Sequence, residues 1–177
     1  MRLFAVMLGG TAPGANTELH DVAFACGEGI EDTWDQLLDR WFGTPEGLHV
    51  DSWAALDAVD GHRVVLRPEP AAAGPRLWFI TLGAYRPGHF GELHAVAFLV
   101  GDDPADVKAR AKAALLRGAL ERHTDDLHEV DDCLQVDRVG GLHVHLEPAP
   151  DLDDEVRCVN GWLPLPAAAI AAWQDRR

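Results

Sequence analysis

Two acid–histidine pairs carry most of the chemistry this sequence offers. Glu18 and His20 stand two residues apart in a Glu-Leu-His run, and Glu92 and His94 repeat that run 74 residues later. On a strand, residues two apart share a face, so each pair sets a carboxylate beside an imidazole. Two carboxylates and two imidazoles brought together would suit a divalent metal ion. The same pairing suits acid–base work, because a carboxylate beside an imidazole shifts the protonation of both. The other use is structural: each glutamate holds its histidine by a hydrogen bond at the end of a buried face. Val22 and Phe24 continue the face of His20 toward a core, which favours the structural use.

The pairs recur because the segment around them recurs. Leu8–Phe24 reads LGGTAPGANTELHDVAF and Leu82–Phe98 reads LGAYRPGHFGELHAVAF, ten identities in 17 positions without a gap. A match at one fixed offset indicates a structural unit used twice. The copies differ where Asn16 and Asp21 of the first face Phe90 and Ala95 of the second. A ligand would therefore find its better wall in copy one. The candidate ligand-binding residues are Asn16, Glu18, His20, Asp21, Glu92 and His94. The candidate metal ligands are Glu18, His20, Glu92 and His94, converging if the halves pack about a two-fold axis.

These residues need strands and turns to position them. Leu3–Leu8 is an apolar run that suits a mostly buried strand, followed by a Pro13-Gly14 turn and a second strand over His20–Cys26. Acidic residues at Glu31 and Asp32 open a helix to about Phe42, with Ile30, Trp34, Leu37, Leu38 and Trp41 at helical spacing. A hairpin over Asp51–Val59 and His62–Leu66 turns at Asp60-Gly61. Copy two repeats the order with strands at Leu77–Leu82 and His94–Val100. Its helix starts at Asp103-Pro104 and runs to about Arg122, and its hairpin turns at Gly140-Gly141. The hairpins align at an offset of 80, so copy two carries about six extra residues, which fit its longer helix and the acidic loop His123–Asp132. Arg157–Leu163 adds a last strand and Pro166–Gln174 a short helix.

The expected fold class is α+β: two ββαββ repeats with antiparallel sheets related by pseudo-two-fold symmetry, plus a short C-terminal extension. Repeat one spans residues 1–68, repeat two 76–148 and the extension 149–177, all within one compact unit.

The remaining motifs read as structure. Gly9–Thr17 is glycine-rich after a strand, but a phosphate-cradling loop needs a helix directly after it and a strand follows here. His49 with Asp51, and His128 with Asp131, read as polar residues where loops enter strands. His143 and His145 share the wet face of their hairpin. The acidic run from Asp125 to Asp132 lacks the spacing and central glycine of a calcium loop. Cys26, Cys133 and Cys158 have no metal or redox spacing, and the one serine, Ser52, has no nucleophile context. The tryptophans do not repeat between copies. That suggests a pocket or a dimer surface, with the helix bearing Trp34 and Trp41 as one partner-binding face.

A formal net charge of −14 argues against nucleic acid as a partner. No run approaches the ~18 apolar residues of a membrane span, and the N-terminus lacks the features of a signal peptide, so the expected location is the cytoplasm.

The run LFAVMLGGTAPGANTELHDVAF, with LHVDSW and the Val-Asp-Gly hairpin, resembles a bacterial family catalogued as domain of unknown function 1543. The likeness is densest over the first ~65 residues. It implies a compact soluble domain and brings no activity to these positions. The expectation is a small-ligand-binding or interaction domain that forms a homodimer. The alternative is a metal-dependent or acid–base enzyme using Glu18, His20, Glu92 and His94, with a divalent metal as its cofactor.

Overall fold

The computed structural model describes residues 1–84, 88–120 and 127–177. Strands β1 (Arg2–Gly10) and β2 (Leu19–Gly27) lead into a 3-10 turn (Ile30–Thr33) and helix α1 (Trp34–Arg40). Strands β3 (His49–Ala55), β4 (Ala58–Val59) and β5 (His62–Arg67) close the first half. The second half follows the same order with β6 (Arg76–Ala84), β7 (Leu93–Gly101), α2 (Pro104–Leu120), β8 (Leu127–Gln135), β9 (Arg138–Val139) and β10 (Leu142–Pro148). Strand β11 (Cys158–Pro164) and helix α3 (Ala167–Gln174) end the chain. The fold is α+β with antiparallel sheets. Among the described residues no helix is long and apolar enough to cross a membrane.

The strands form three sheets, ordered β11-β3-β1-β2, β7-β6-β8 and β4-β5-β10-β9. Strand β1 pairs with β2 from Arg2↔Gly27 to Gly10↔Leu19, and β6 pairs with β7 from Arg76↔Gly101 to Ala84↔Leu93. Adding 74 converts the first register into the second. The third strands keep the correspondence at 80, since Gly9 pairs with His49 and Gly83 with Glu129.

Both central strands are apolar on both faces because each sheet is covered twice. Leu3 and Ala5 join Leu77 and Phe79 of the second half in one core. Phe4, Val6 and Leu8 turn the other way, onto Leu37 and Leu38 of α1. Trp78, Ile80 and Leu82 do the same against Val107 and Ala111 of α2. Phe24 meets Phe79 edge-on at a centroid distance of 5.6 Å, which ties the halves through the shared core.

Three sequence expectations change. The strand expected over Asp51–Val59 is broken at Leu56 and Asp57, where the chain leaves one sheet for another. There β3 stays beside β1, while β4 and β5 join β10 and β9. The first helix is shorter than expected and opens as the 3-10 turn. Trp41 is buried in the α1 core and Trp34 is partly buried against it, so neither ring of this expected partner-binding face is fully exposed. Pro87 of the expected second turn and residues 123–126 of the acidic loop lie outside the described residues.

Each half lends its hairpin to the other. Asp60, in the turn of the first hairpin, accepts through Oδ2 from the backbone N–H of Val100 at 3.0 Å and from Arg110 at 2.5 Å. Arg110 also donates to the Val100 carbonyl at 2.9 Å. The position 74 residues earlier, Cys26, has its backbone N–H and carbonyl both bonded by Gln36, at 3.0 and 2.7 Å. The same strand-end peptide is satisfied by one amide in the first half and by an ion pair in the second.

Candidate functional site

Gly9 sits mid-sheet, paired with His20 of β2 on one side and His49 of β3 on the other. With no side chain between them, the two imidazoles lie on one face across a glycine gap. Register along β1–β3 passes from Leu8↔Val50 to Met7↔Ser52, so Asp51 is the extra residue of a bulge. A bulge redirects side chains locally. Here Asp51 stays beside His49, and Trp53 returns to the α1 face, where it meets Phe4 at 5.8 Å.

Four side chains close around this point. His20 Nε2 lies 3.5 Å from Glu18 Oε2 and 3.2 Å from Asp51 Oδ2. His49 Nε2 lies 3.3 Å from Glu18 Oε1 and 3.3 Å from Asp51 Oδ1. Each carboxylate therefore straddles both rings. His49 is buried, its side chain 6% exposed, whereas Glu18 and His20 open to solvent at 47% and 49%. His49 Nδ1 lies 2.9 Å from the carbonyl of Gly47. A carbonyl only accepts, so Nδ1 donates to it, and Nε2 is the ring atom turned toward the two carboxylates. Asp51 Oδ2 is buried and accepts no hydrogen bond, despite its nearness to His20. A cavity of about 500 Å³ lies elsewhere, between Gln36 and Arg40 of α1 and the Asp137–Gly140 segment.

Trp162 roofs the cluster. Its ring centroid is 5.8 Å from that of His49, and the residue is 71% exposed. Register along β11–β3 jumps from Asn160↔Ser52 to Leu163↔Val50, so this bulge lies across from Asp51. Among the described residues, the β7-β6-β8 sheet has no strand in the place of β11.

Of the six residues expected to bind a ligand, Glu18 and His20 are in the cluster. Their partners are His49 and Asp51 of the same sheet. His94 lies on β7, in a different sheet, and pairs at 3.4 Å with Glu92 just before that strand. Asn16 is exposed in the β1–β2 loop. Asp21 pairs with Leu8, on the α1 side of the sheet away from His20, and its Oδ1 accepts from the N–H of Val22 at 2.8 Å. Glu129 takes the register position of His49 in the second half, so the two-imidazole arrangement is written only into the first. His49, Asp51 and Trp162 escaped sequence reasoning. The available signal was His49-x-Asp51 itself, two apart like Glu18 and His20.

The thiols are not part of this chemistry. Burial pushes the Cys26 thiol above its ordinary range, opposed by a hydrogen bond to Gln36. Burial does the same to Cys133, opposed by Lys108.

The family described as Domain of Unknown Function (DUF1543) matches residues 15–66 and 90–144, one region in each half. The chain belongs to the DUF1543 family. It is also similar to a solved structure, the crystal structure of a protein Il1583 from Idiomarina loihiensis. The identity is 36% over 94% of this chain and 98% of that one, with a TM-score of 0.71. No curated protein matches the chain. The first DUF1543 region contains Glu18, His20, His49 and Asp51, so the whole cluster lies inside the family's matched segment.

Proposed function

We propose that this DUF1543 protein is a small-ligand-binding domain whose site is the cluster of Glu18, His20, His49 and Asp51 under Trp162. One observation carries the reading: Asp51 Oδ2 is buried, lies 3.2 Å from His20 Nε2 and accepts no hydrogen bond. A buried carboxylate oxygen without a donor costs ~1–3 kcal/mol, and a bound group would relieve that cost. The open side at Glu18 and His20 supplies the entry. The matching registers at 74 and 80 support a pseudo-two-fold relation between two repeats, of which the first has His49 where the second has Glu129.

Native mass spectrometry of untagged protein tests this reading. The folded protein should carry a noncovalent mass increment that disappears in His49→Ala. A folded mass equal to the bare chain would count against it.

Self-association is a second property with specific support. Strand β11 lies at a sheet edge with Val159, Trp162 and Leu163 exposed. Such edges invite pairing with another chain. Light scattering should give a dimer that Trp162→Glu dissociates; a monomer at all concentrations would rule this out.

A further inference from the structure

We infer that Glu18, His20, His49 and Asp51 hold one divalent transition-metal ion, with zinc the best match to the donors. The inference rests on the reading of this cluster as a binding site and names its occupant. The donor set is two imidazoles and two carboxylates, the borderline-hard mixture that zinc takes and that magnesium and calcium do not favour.

The distances point the same way. Tetrahedral bonds of ~2.0–2.2 Å hold neighbouring donor atoms ~3.3–3.6 Å apart. The four nitrogen–oxygen separations are 3.2, 3.3, 3.3 and 3.5 Å. They are long for the charge-assisted hydrogen bonds that acid–imidazole pairs make, which run ~2.7–2.9 Å. As they stand, no group of three or more His, Cys, Asp or Glu side chains among the described residues is arranged to hold a metal ion. Binding needs the two carboxylates to swing toward the common centre of the rings by rotation about their side-chain torsions.

The surroundings match what metal ligands need. His49 is fixed from behind by the Gly47 carbonyl, the outer contact that orients a ligating imidazole and leaves Nε2 to the metal. Gly47 has φ +81°, a left-handed backbone that glycine accepts without strain. Gly9 leaves the centre of the site clear: a Cβ there would lie 2.5 Å from His49 Nε2 and 2.7 Å from Asp51 Oδ2. A cation among these groups would lie between the two Nε2 atoms and the carboxylates and would meet Asp51 Oδ2, which accepts no hydrogen bond. Two anionic carboxylates balance the charge of a divalent ion. Four protein donors complete a tetrahedral shell, so the ion would brace β2 and β3 across β1 or be carried as cargo, with no open position for water activation.

The test uses the full, untagged chain after chelator treatment and dialysis. Zinc, manganese and magnesium chlorides are titrated separately, followed by calorimetry and by melting temperature. Zinc should bind once per chain and raise the melting temperature, with magnesium producing neither effect. Glu18→Gln, a half-exposed site where the fold tolerates change, should weaken zinc at least ~10-fold, and His49→Ala at least ~100-fold. His143→Ala, away from the cluster, should bind like the parent. Cobalt in place of zinc should give the intense visible absorption of a four-coordinate ion, a readout that a purely structural role for His49 would not produce. No zinc binding, or zinc binding equally strong in Glu18→Gln and His49→Ala, overturns the inference. If zinc fails while the native spectrum shows an organic increment lost in His49→Ala, the ligand-binding reading survives and the metal does not. If neither appears, both fall.

Discussion

Gly9 and His49 are cross-strand partners, and the imidazole fills the space that any side chain at position 9 would need. A Cβ on Gly9 would lie 2.5 Å from His49 Nε2, closer than such contacts tolerate. Gly9→Ala should therefore destabilise the protein by ~1–3 kcal/mol in urea unfolding, the usual cost of overpacking. The loss should shrink when His49 is already alanine, because the closest clash is then gone and only that with Asp51 Oδ2 at 2.7 Å is left. Equal losses in both backgrounds would place the cause elsewhere.

Asp51 should behave in the opposite sense. Its Oδ2 is buried and unpartnered, and its charge stands close to Glu18 across the two rings. Asp51→Asn removes that charge at constant shape. In the presence of chelator the variant should match or exceed the parent by up to ~1 kcal/mol, as active-site substitutions often do. A loss above ~1 kcal/mol would show that the carboxylate is there to hold the sheet.

Asp60 and Gly140 occupy the same turn position in the two halves, 80 residues apart, and should not be interchangeable. Asp60 adopts φ +50° and binds the Val100 N–H and Arg110. Asp60→Ala leaves both donors short and should cost ~1–3 kcal/mol. Gly140 has φ +57°, and a Cβ there would run into Cys26 Sγ and lie 2.9 Å from Gln36 Oε1. Gly140→Asp should cost more than Asp60→Ala in the same denaturation series.

The three thiols should label in order of access. Cys158 is exposed, Cys133 half-buried and Cys26 buried. Burial also holds the Cys26 and Cys133 thiols above their ordinary range, so less thiolate is present at neutral pH. Mass spectrometry after brief iodoacetamide treatment should find Cys158 modified first and Cys26 only on unfolding. Early modification of Cys26 would contradict its packing beneath the Val139 carbonyl.

Arg2 and Asp57 should set part of the acid limb of stability. Arg2 donates to both oxygens of Asp57 at the point where the chain leaves β3 for β4. That hydrogen bond holds the Asp57 carboxyl below its usual range. A lowered carboxyl stabilises the fold above its ordinary titration and loses that contribution as the pH falls through the folded value. Both side chains are about half exposed, so the neutral-pH contribution is only ~0–1 kcal/mol. Asp57→Asn should flatten the fall in stability below about pH 4, measured by urea midpoints across the acid range. An unchanged acid limb would remove the pair from consideration.

Much of the local structure was legible in the residues. The two-residue turns at Asp60-Gly61 and Gly140-Gly141 and the start of α2 at Asp103-Pro104 came from short-range rules. The internal match at 74 foretold the β1–β2 and β6–β7 pairings, because adjacent strands joined by a loop have few alternatives. What was missed lies where strands distant in sequence meet. Strand β3 returns to the free edge of β1 after a helix, and its bulge at Asp51 decides which side chains join Glu18 and His20. Sequence reasoning looked for the partners of that pair in the other copy, since an identical motif is visible and a register is not.

The duplicated order of elements and the acid–histidine pairs are written in the residues themselves. These follow from backbone periodicity and turn preferences, which act over a few residues. Only the tertiary structure decided that His49 and Asp51 complete the first pair and that Trp162 covers it. It also decided that the hairpins cross to the opposite half. Those outcomes depend on cross-strand register and on which apolar faces bury one another, and both are settled when segments far apart in the chain pack together.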